Sequence, residues 1–247
     1  MKKFFLILSA GLFLISQSLF ADQSSFKFHT DKGCEYLRIN AYDEAIAEFE
    51  KALKQDPENS EAHSNLALAR LMKHIEMFNY GLPIEMVESI SKNGKVDLKE
   101  CERLKKEWND SANELEVLAN EGFKKAIELD DKNWHAHYFV GTHYYNTGDF
   151  KAAEVELKKA IEFNSDYTNS YRVLASLYEK MGKMDLAIEY RNKDLELDPD
   201  DDGARRDLAL LYHKLGMKEE ALKEYKILKK ENSVLVPGLK PIFEPAR

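Results

Sequence analysis

One spacing dominates the chain. Tyr144, Tyr178 and Tyr212 stand 34 residues apart, as do Gly148, Gly182 and Gly216, and again Ala153, Ala187 and Ala221. Three residue classes sharing one period mark an array of units, each stacking on its neighbours because it cannot bury its apolar face alone. Val140, Leu174 and Leu208 recur with the same step, each followed by a small residue, Gly141, Ala175 or Ala209. Glycine and proline are scarce while Ala, Leu, Glu and Lys abound, a balance that favours helices over sheets.

The aligned segments VGTHYYNTGDFKAAEVELKKAIEFN, LASLYEKMGKMDLAIEYRNKDLELD and LALLYHKLGMKEEALKEYKILKKEN resemble the tetratricopeptide repeat (TPR), a helix-turn-helix unit of this length. The resemblance implies an all-α solenoid. The small residue lets the two helices of a unit approach closely, and the glycine ends the first helix in the left-handed region. Pro199 follows the second helix of its unit. Upstream, Gly33, Tyr36, Ala45, Phe49, Ala52 and Pro57 sit at matching offsets, with Asn40 in place of the turn glycine. The next unit opens with Leu66 and Ala67 and resumes at Ala119, Phe123 and Ala126, so about 40 residues, roughly 74–113, are inserted into it.

The expected organisation is a signal peptide at 1–21 and five repeats: 26–59, 60–133 with the insertion, 134–167, 168–201 and 202–235. An irregular tail, 236–247, follows. Three-to-four-residue apolar steps make the insertion a helical hairpin, with a short apolar helix after Pro83 and a capping box of Asp97 and Glu100. Pro237, Pro241 and Pro245 predict an extended tail across the last repeat. Arg191 and Asp194 stand where other repeats bury Phe49 and Ala52 or Leu157 and Ala160. The two are expected to pair with each other one turn apart or to bend the packing, so that replacing both by Leu and Ala is neutral or stabilising.

The N-terminus carries Lys2 and Lys3, an apolar run from Phe4 to Ile15 and a small residue, Ala21, before a polar stretch. This is the pattern of a cleaved secretory signal, with cleavage expected after Ala21 or, as the alternative, after Ser18. The run is short for a membrane span. Export then implies a periplasmic or secreted mature protein with no membrane insertion. The two cysteines, Cys34 and Cys101, permit one disulfide in that compartment, the alternative being two small core residues.

The formal charge of −8 counts against nucleic acid as a partner. In the TPR family the first helices line a concave groove. Carried over by position, the third repeat offers His135, Tyr138, Thr142, Tyr145 and Asn146 to that groove. The fourth adds Arg172, Ser176 and Lys180, and the fifth Arg206, His213 and Lys214. Cations beside aromatics suit an extended segment that is acidic or ends in a carboxylate. Thr30 and Cys34 replace the lysine and asparagine of the chaperone-binding carboxylate clamp. His135, His137 and His143 lack the spacing of a zinc site, and the acidic run from Asp198 to Asp202 lacks the twelfth-position glutamate of a calcium loop, where Ala209 stands. No nucleotide loop, nucleophile elbow or catalytic zinc motif appears in the sequence, and no cofactor is expected. The reading is a non-enzymatic protein-binding scaffold. The alternatives are a self-assembling structural protein, in which homo-oligomers form, and a small-molecule or metal carrier.

Overall fold

The computed structural model describes residues 24–80, 91–92, 95–96, 98–231 and 233–244. The signal segment, the short helix after Pro83 and the Asp97 of the capping box lie outside the described residues. Two compact units are formed, Met1–Ala136 and His137–Arg247.

In the first unit, α1 (24–38) and α2 (Tyr42–Gln55) form the first repeat. They meet at Gly33, where an added Cβ would lie 2.6 Å from the Phe49 ring. Asn40 takes the positive φ that the sequence assigned to it, 59°. Ala45, Phe49, Leu66 and Ala69 make the local core, with Cys34, Tyr36 and Leu37 packed against it. The next helix, α3 (Ser60–Tyr80), continues past the usual length, and α4 (Leu98–Leu129) returns along it. The Trp108 indole donates to the Met77 carbonyl at 3.0 Å, and His74 Nδ1 lies 2.8 Å from the Ala112 carbonyl. These bonds pin two helices that outrun the repeat's own core. At the other end Ser60 donates to the Ala126 carbonyl and accepts from Asn133 at the start of α5 (Trp134–Thr147).

The insertion is thus a hairpin of long helices, as its apolar period indicates, with one difference. Between them β1 (Ser91–Lys92) pairs antiparallel with β2 (Lys95–Val96). The intervening Asn93-Gly94 is a sequence signal for a two-residue hairpin connection that the helical reading passed over.

The second unit carries α6 (Phe150–Phe163), α7 (Thr168–Lys180), α8 (Met184–Leu197), α9 (Asp202–Lys214), α10 (Lys218–Lys230) and α11 (Val236–Phe243). Ala153, Leu157, Leu174, Leu177, Tyr178, Ala187 and Leu211 form one buried cluster. Gly148, Gly182 and Gly216 have φ of 86°, 74° and 77°, and each ends a first helix. After Gly182 the Lys183 amide bonds back to the Tyr178 carbonyl at 2.9 Å, which satisfies an end carbonyl of α7.

One expectation is corrected. The described part of the tail is not extended: Val236–Phe243 is helical and packs on α10. Pro237 sits in the first turn, where no amide donor is needed, and Pro241 removes a single bond from an eight-residue helix. Of the two readings left open for the cysteines, the structure has both thiols free. Cys34 packs against the core of the first repeat, while Cys101 lies in the first turn of α4, within the insertion.

Close approach is the fold's recurring demand. At Gly141 a Cβ would meet Leu157 Cγ at 2.8 Å, whereas at Gly238 it would meet nothing within 4 Å. Gly141→Ala should therefore lose about 1–3 kcal/mol by overpacking. Gly238→Ala should be neutral or gain up to about 1 kcal/mol from helix propensity. Urea unfolding midpoints of the two variants check the contrast.

Candidate protein-interaction site

The first helices of repeats three to five present their side chains in rows, because equivalent positions recur every 34 residues. The row of Tyr138, Arg172 and Arg206 is largely satisfied within the chain. Tyr138 stacks edge-on against Tyr167 with centroids 5.0 Å apart, and burial pushes its phenol up to about 12. The Arg172 guanidinium bonds the carboxylate of Asp194 at 3.1 and 3.3 Å and also reaches Asp201 and Asn169. Arg206 is bound to the adjacent Asp207 at 2.7 and 2.9 Å.

The next row is also used internally. Thr142 donates to the Tyr138 carbonyl at 2.8 Å and Ser176 to the Arg172 carbonyl at 3.0 Å. At the far ends of the helices the picture changes. Tyr145 leans on Phe150, and His213 lies 5.6 Å from the Phe243 ring. Asn146, Lys180 and Lys214, one per repeat, are exposed. Neither lysine makes an ion pair among the described residues.

Arg191 and Asp194 explain why the arginines are occupied. The two do not pair with each other, which sets aside the first of the two outcomes expected from the sequence. Arg191, 5% exposed, reaches Glu179 at 2.6 Å, Asp207 at 3.3 Å and the Ser176 hydroxyl. Asp194 is fully buried and takes Arg172. A polar seam therefore runs between α7, α8 and α9, in which three arginines meet four carboxylates. Asp201 belongs to it twice, capping α9 through the Ala204 amide at 2.8 Å while it holds Arg172. The acidic turn thus has two structural tasks.

His135 lies in the first unit, apart from that seam. Its Nδ1 is 3.0 Å from the Ser64 hydroxyl, and burial lowers its pKa to about 4, so the ring is neutral at pH 7. Ser64, Asn65, Lys132 and Trp134 line a polar notch beside it. Ser64 is only 2% exposed, so the pair holds α3 to α5 rather than presenting a nucleophile. His137 is wholly buried, with Nδ1 2.5 Å from Glu156. This bond leads the causes that lower the Glu156 carboxyl. Among the described residues no group of three His, Cys, Asp or Glu side chains is placed to hold a metal ion.

The sequence reading missed a second recurrence. A basic residue and a glutamate 19 positions apart join the two helices of three repeats: His29–Glu48 at 2.6 Å, His137–Glu156 at 2.5 Å and Arg205–Glu224 at 3.0 Å. In the fourth repeat Tyr171 and Tyr190 take these positions, with ring centroids 6.2 Å apart. Glu48 also receives Lys51 and Lys32; bonds from Lys51 and then His29 hold its carboxyl down at about 2. The repeated 19-residue spacing was the available signal.

Paired helices closed by a left-handed turn residue at a fixed period define a helical-repeat scaffold, a class that acts by holding other chains. The chain is a tetratricopeptide-repeat protein: the family model for the TPR repeat matches residues 33–73, and that for the tetratricopeptide repeat matches 135–167 and 169–201. Among solved structures it is similar to the MamA protein at 25% identity, covering 91% of this chain and 98% of that one, with a TM-score of 0.55. It shares its fold with PilF of Pseudomonas aeruginosa at 20% identity, covering 91% and 87%, TM-score 0.63. YrrB, described as a TPR protein with an unusual peptide-binding site, matches at 19% identity over 84% and 87%, TM-score 0.54. No curated protein matches the chain. TPR proteins are in general non-catalytic scaffolds that bind proteins or peptides.

The seam has a measurable signature. Burial, opposed by Arg172, keeps the Asp194 carboxyl above its ordinary 3.8. A carboxyl raised on folding favours the folded state below its unfolded value and weighs against it as pH rises through the folded one. Removing Arg172 enlarges that penalty. Arg172→Ala should cost roughly 3–5 kcal/mol near neutrality and progressively less in acid, where Asp194 takes a proton. Lys180→Ala should stay within about 0.5 kcal/mol at both pH values. Denaturant titrations at neutral and acidic pH check both.

Proposed function

We propose that the protein is an exported, non-enzymatic adaptor that holds an extended acidic or carboxylate-terminated segment along the first helices of repeats three to five. The observation that carries this reading is the row of Lys180 and Lys214. They stand at equivalent positions of consecutive repeats, exposed and without an ion pair among the described residues, while Arg172 and Arg206 on the same face are held by the chain's own carboxylates. A row of ammonium groups one repeat apart suits a chain carrying several carboxylates, since each lysine binds as a point charge with rotatable donors. Asn146 extends the row with an amide able to bond a peptide backbone, and Tyr145 beside it adds rigid apolar area. YrrB, on the same fold, carries a peptide-binding site. The internally satisfied seam beneath the row fixes the spacing of α7 and α9 and so the separation of the lysines.

The binding test uses a fluorescent peptide with an acidic, free-carboxylate end. Lys180→Glu with Lys214→Glu should weaken its binding at least about tenfold with helicity unchanged, and raising the salt should weaken wild-type binding in the same direction. Peptide binding that survives both changes would set this reading aside.

Export rests on the charged start, the apolar core and Ala21. The mature protein should begin at Asp22 when recovered from the cell envelope or medium. Mass spectrometry of the native protein decides this, and an intact Met1 on soluble cytoplasmic protein would overturn it.

A further inference from the structure

The last repeat carries a seat for one helix, and the chain's own end fills it. Tyr225 and Leu228 of α10 are no more than 1% exposed, and with Leu210 of α9 they form the floor. Into it α11 places Val236, Leu239 and Phe243, three apolar residues at i, i+3 and i+7, the spacing of one helix face. The Phe243 ring stacks on Tyr225 at 4.8 Å, with the planes 15° apart, and its edge meets His213. The ion pair at the C-cap of α11, Lys229 with Glu244 at 2.6 Å, is half exposed on both sides and adds little.

Seat and occupant differ in what holds them. The floor belongs to helices packed on each other within the last repeat. The occupant has eight residues, among them Pro237, Gly238 and Pro241. So short a segment with that composition does not hold a helix in water. It is helical because the seat orders it, through three side chains. The link is short as well: the Ser233 amide bonds the Leu228 carbonyl at 3.0 Å and the Val236 amide bonds the Ser233 carbonyl at 3.2 Å. Beside this link Val234 is 88% exposed.

We propose that this seat is a binding site for an amphipathic helix with apolar residues at i, i+3 and i+7, occupied in cis by residues 236–243 and open in trans to the same segment of a second copy. A second copy's segment fits by identity, since exchange recreates every contact that α11 makes in cis. A reciprocal exchange closes on itself as a two-fold pair. The tether sets the balance: at the millimolar effective concentration of a short link, the cis helix outcompetes a free one until it is released. The inference is independent of the lysine row, because it uses apolar contacts at another place on the array.

The test keeps the full chain and uses a labelled peptide of residues 231–247 as the probe. Leu239→Asp with Phe243→Asp in the protein releases the cis helix and leaves the floor intact. That variant should bind the peptide at least about tenfold more tightly than wild type does, because its seat is no longer taxed by the cis competitor. The same peptide carrying the two aspartates should not bind. Circular dichroism must show a loss of no more than the short helix. If more is lost, hydrogen exchange on the wild type decides instead: amides of 236–243 should exchange faster than those of Lys218–Lys230. Equal peptide affinity for the two proteins, or equal protection of the two segments, would overturn the proposal. Tighter binding of an unrelated helix with the same apolar spacing would overturn the assignment to a second copy.

Discussion

Everything in this structure depends on two helices of a repeat coming close enough to share one core. That closeness is created by a missing side chain: Gly33 lies under the large Phe49, Gly141 under Leu157, and Gly122 meets another small residue, Ala67, where a Cβ would stand 3.0 Å from the alanine's own. Once the helices touch, the turn between them has little freedom, and a left-handed residue closes it at Asn40, Gly148, Gly182 and Gly216. The aromatic and aliphatic residues that remain outside can be buried only by the next repeat. The array is a consequence of the hairpin, not a separate instruction.

The polar seam between the fourth and fifth repeats is a departure from that rule. Where other repeats bury Phe49 and Ala52, this one buries Arg191 and Asp194. Their partners lie on the first-helix face, so two apolar positions replaced on a second helix change which cations that face has left. Arg172 turns inward to Asp194 and Asp201, and Glu179 and Asp207 are held by Arg191. A buried network of this kind adds little net stability but penalises any packing that separates its members. It therefore works best as a spacer that fixes the two first helices relative to each other.

The fold was legible because its demands are local. Thirty-four-residue recurrences of Gly, Tyr and Ala state where helices start, approach and stop, and the long insertion kept its three-to-four-residue apolar period through α4. What was not legible depends on side-chain direction across the fold. Arg172 meets Asp194 and Asp201 at separations of 22 and 29 residues, which no helical spacing reveals. From sequence the same arginine reads equally well as a groove cation. The tail was misread for a different reason. Proline was counted as a helix breaker without asking which turn it occupied, and Pro237 falls where the missing donor does no harm. The even cysteine count carried no geometry at all.

The lysine row and the terminal seat use opposite physics, and this separates them in any solution experiment. Two exposed ammonium groups attract through a field that salt screens within about 10 Å at moderate ionic strength, and they recognise charge density rather than shape. The seat offers buried aromatic and aliphatic area, on which salt has little hold and kosmotropic salts act in favour of burial. On the proposed readings, one array would hold a charged strand along its length and an apolar helix at its end without the two competing. The row is already exposed, whereas the seat opens only when the short helix leaves, since its Val236 and Leu239 share a buried cluster with Tyr225 and Leu228. A repeat scaffold has this advantage over a single compact core. Its ends are made of the same surfaces as its interior, so each end exposes apolar area unless a cap covers it.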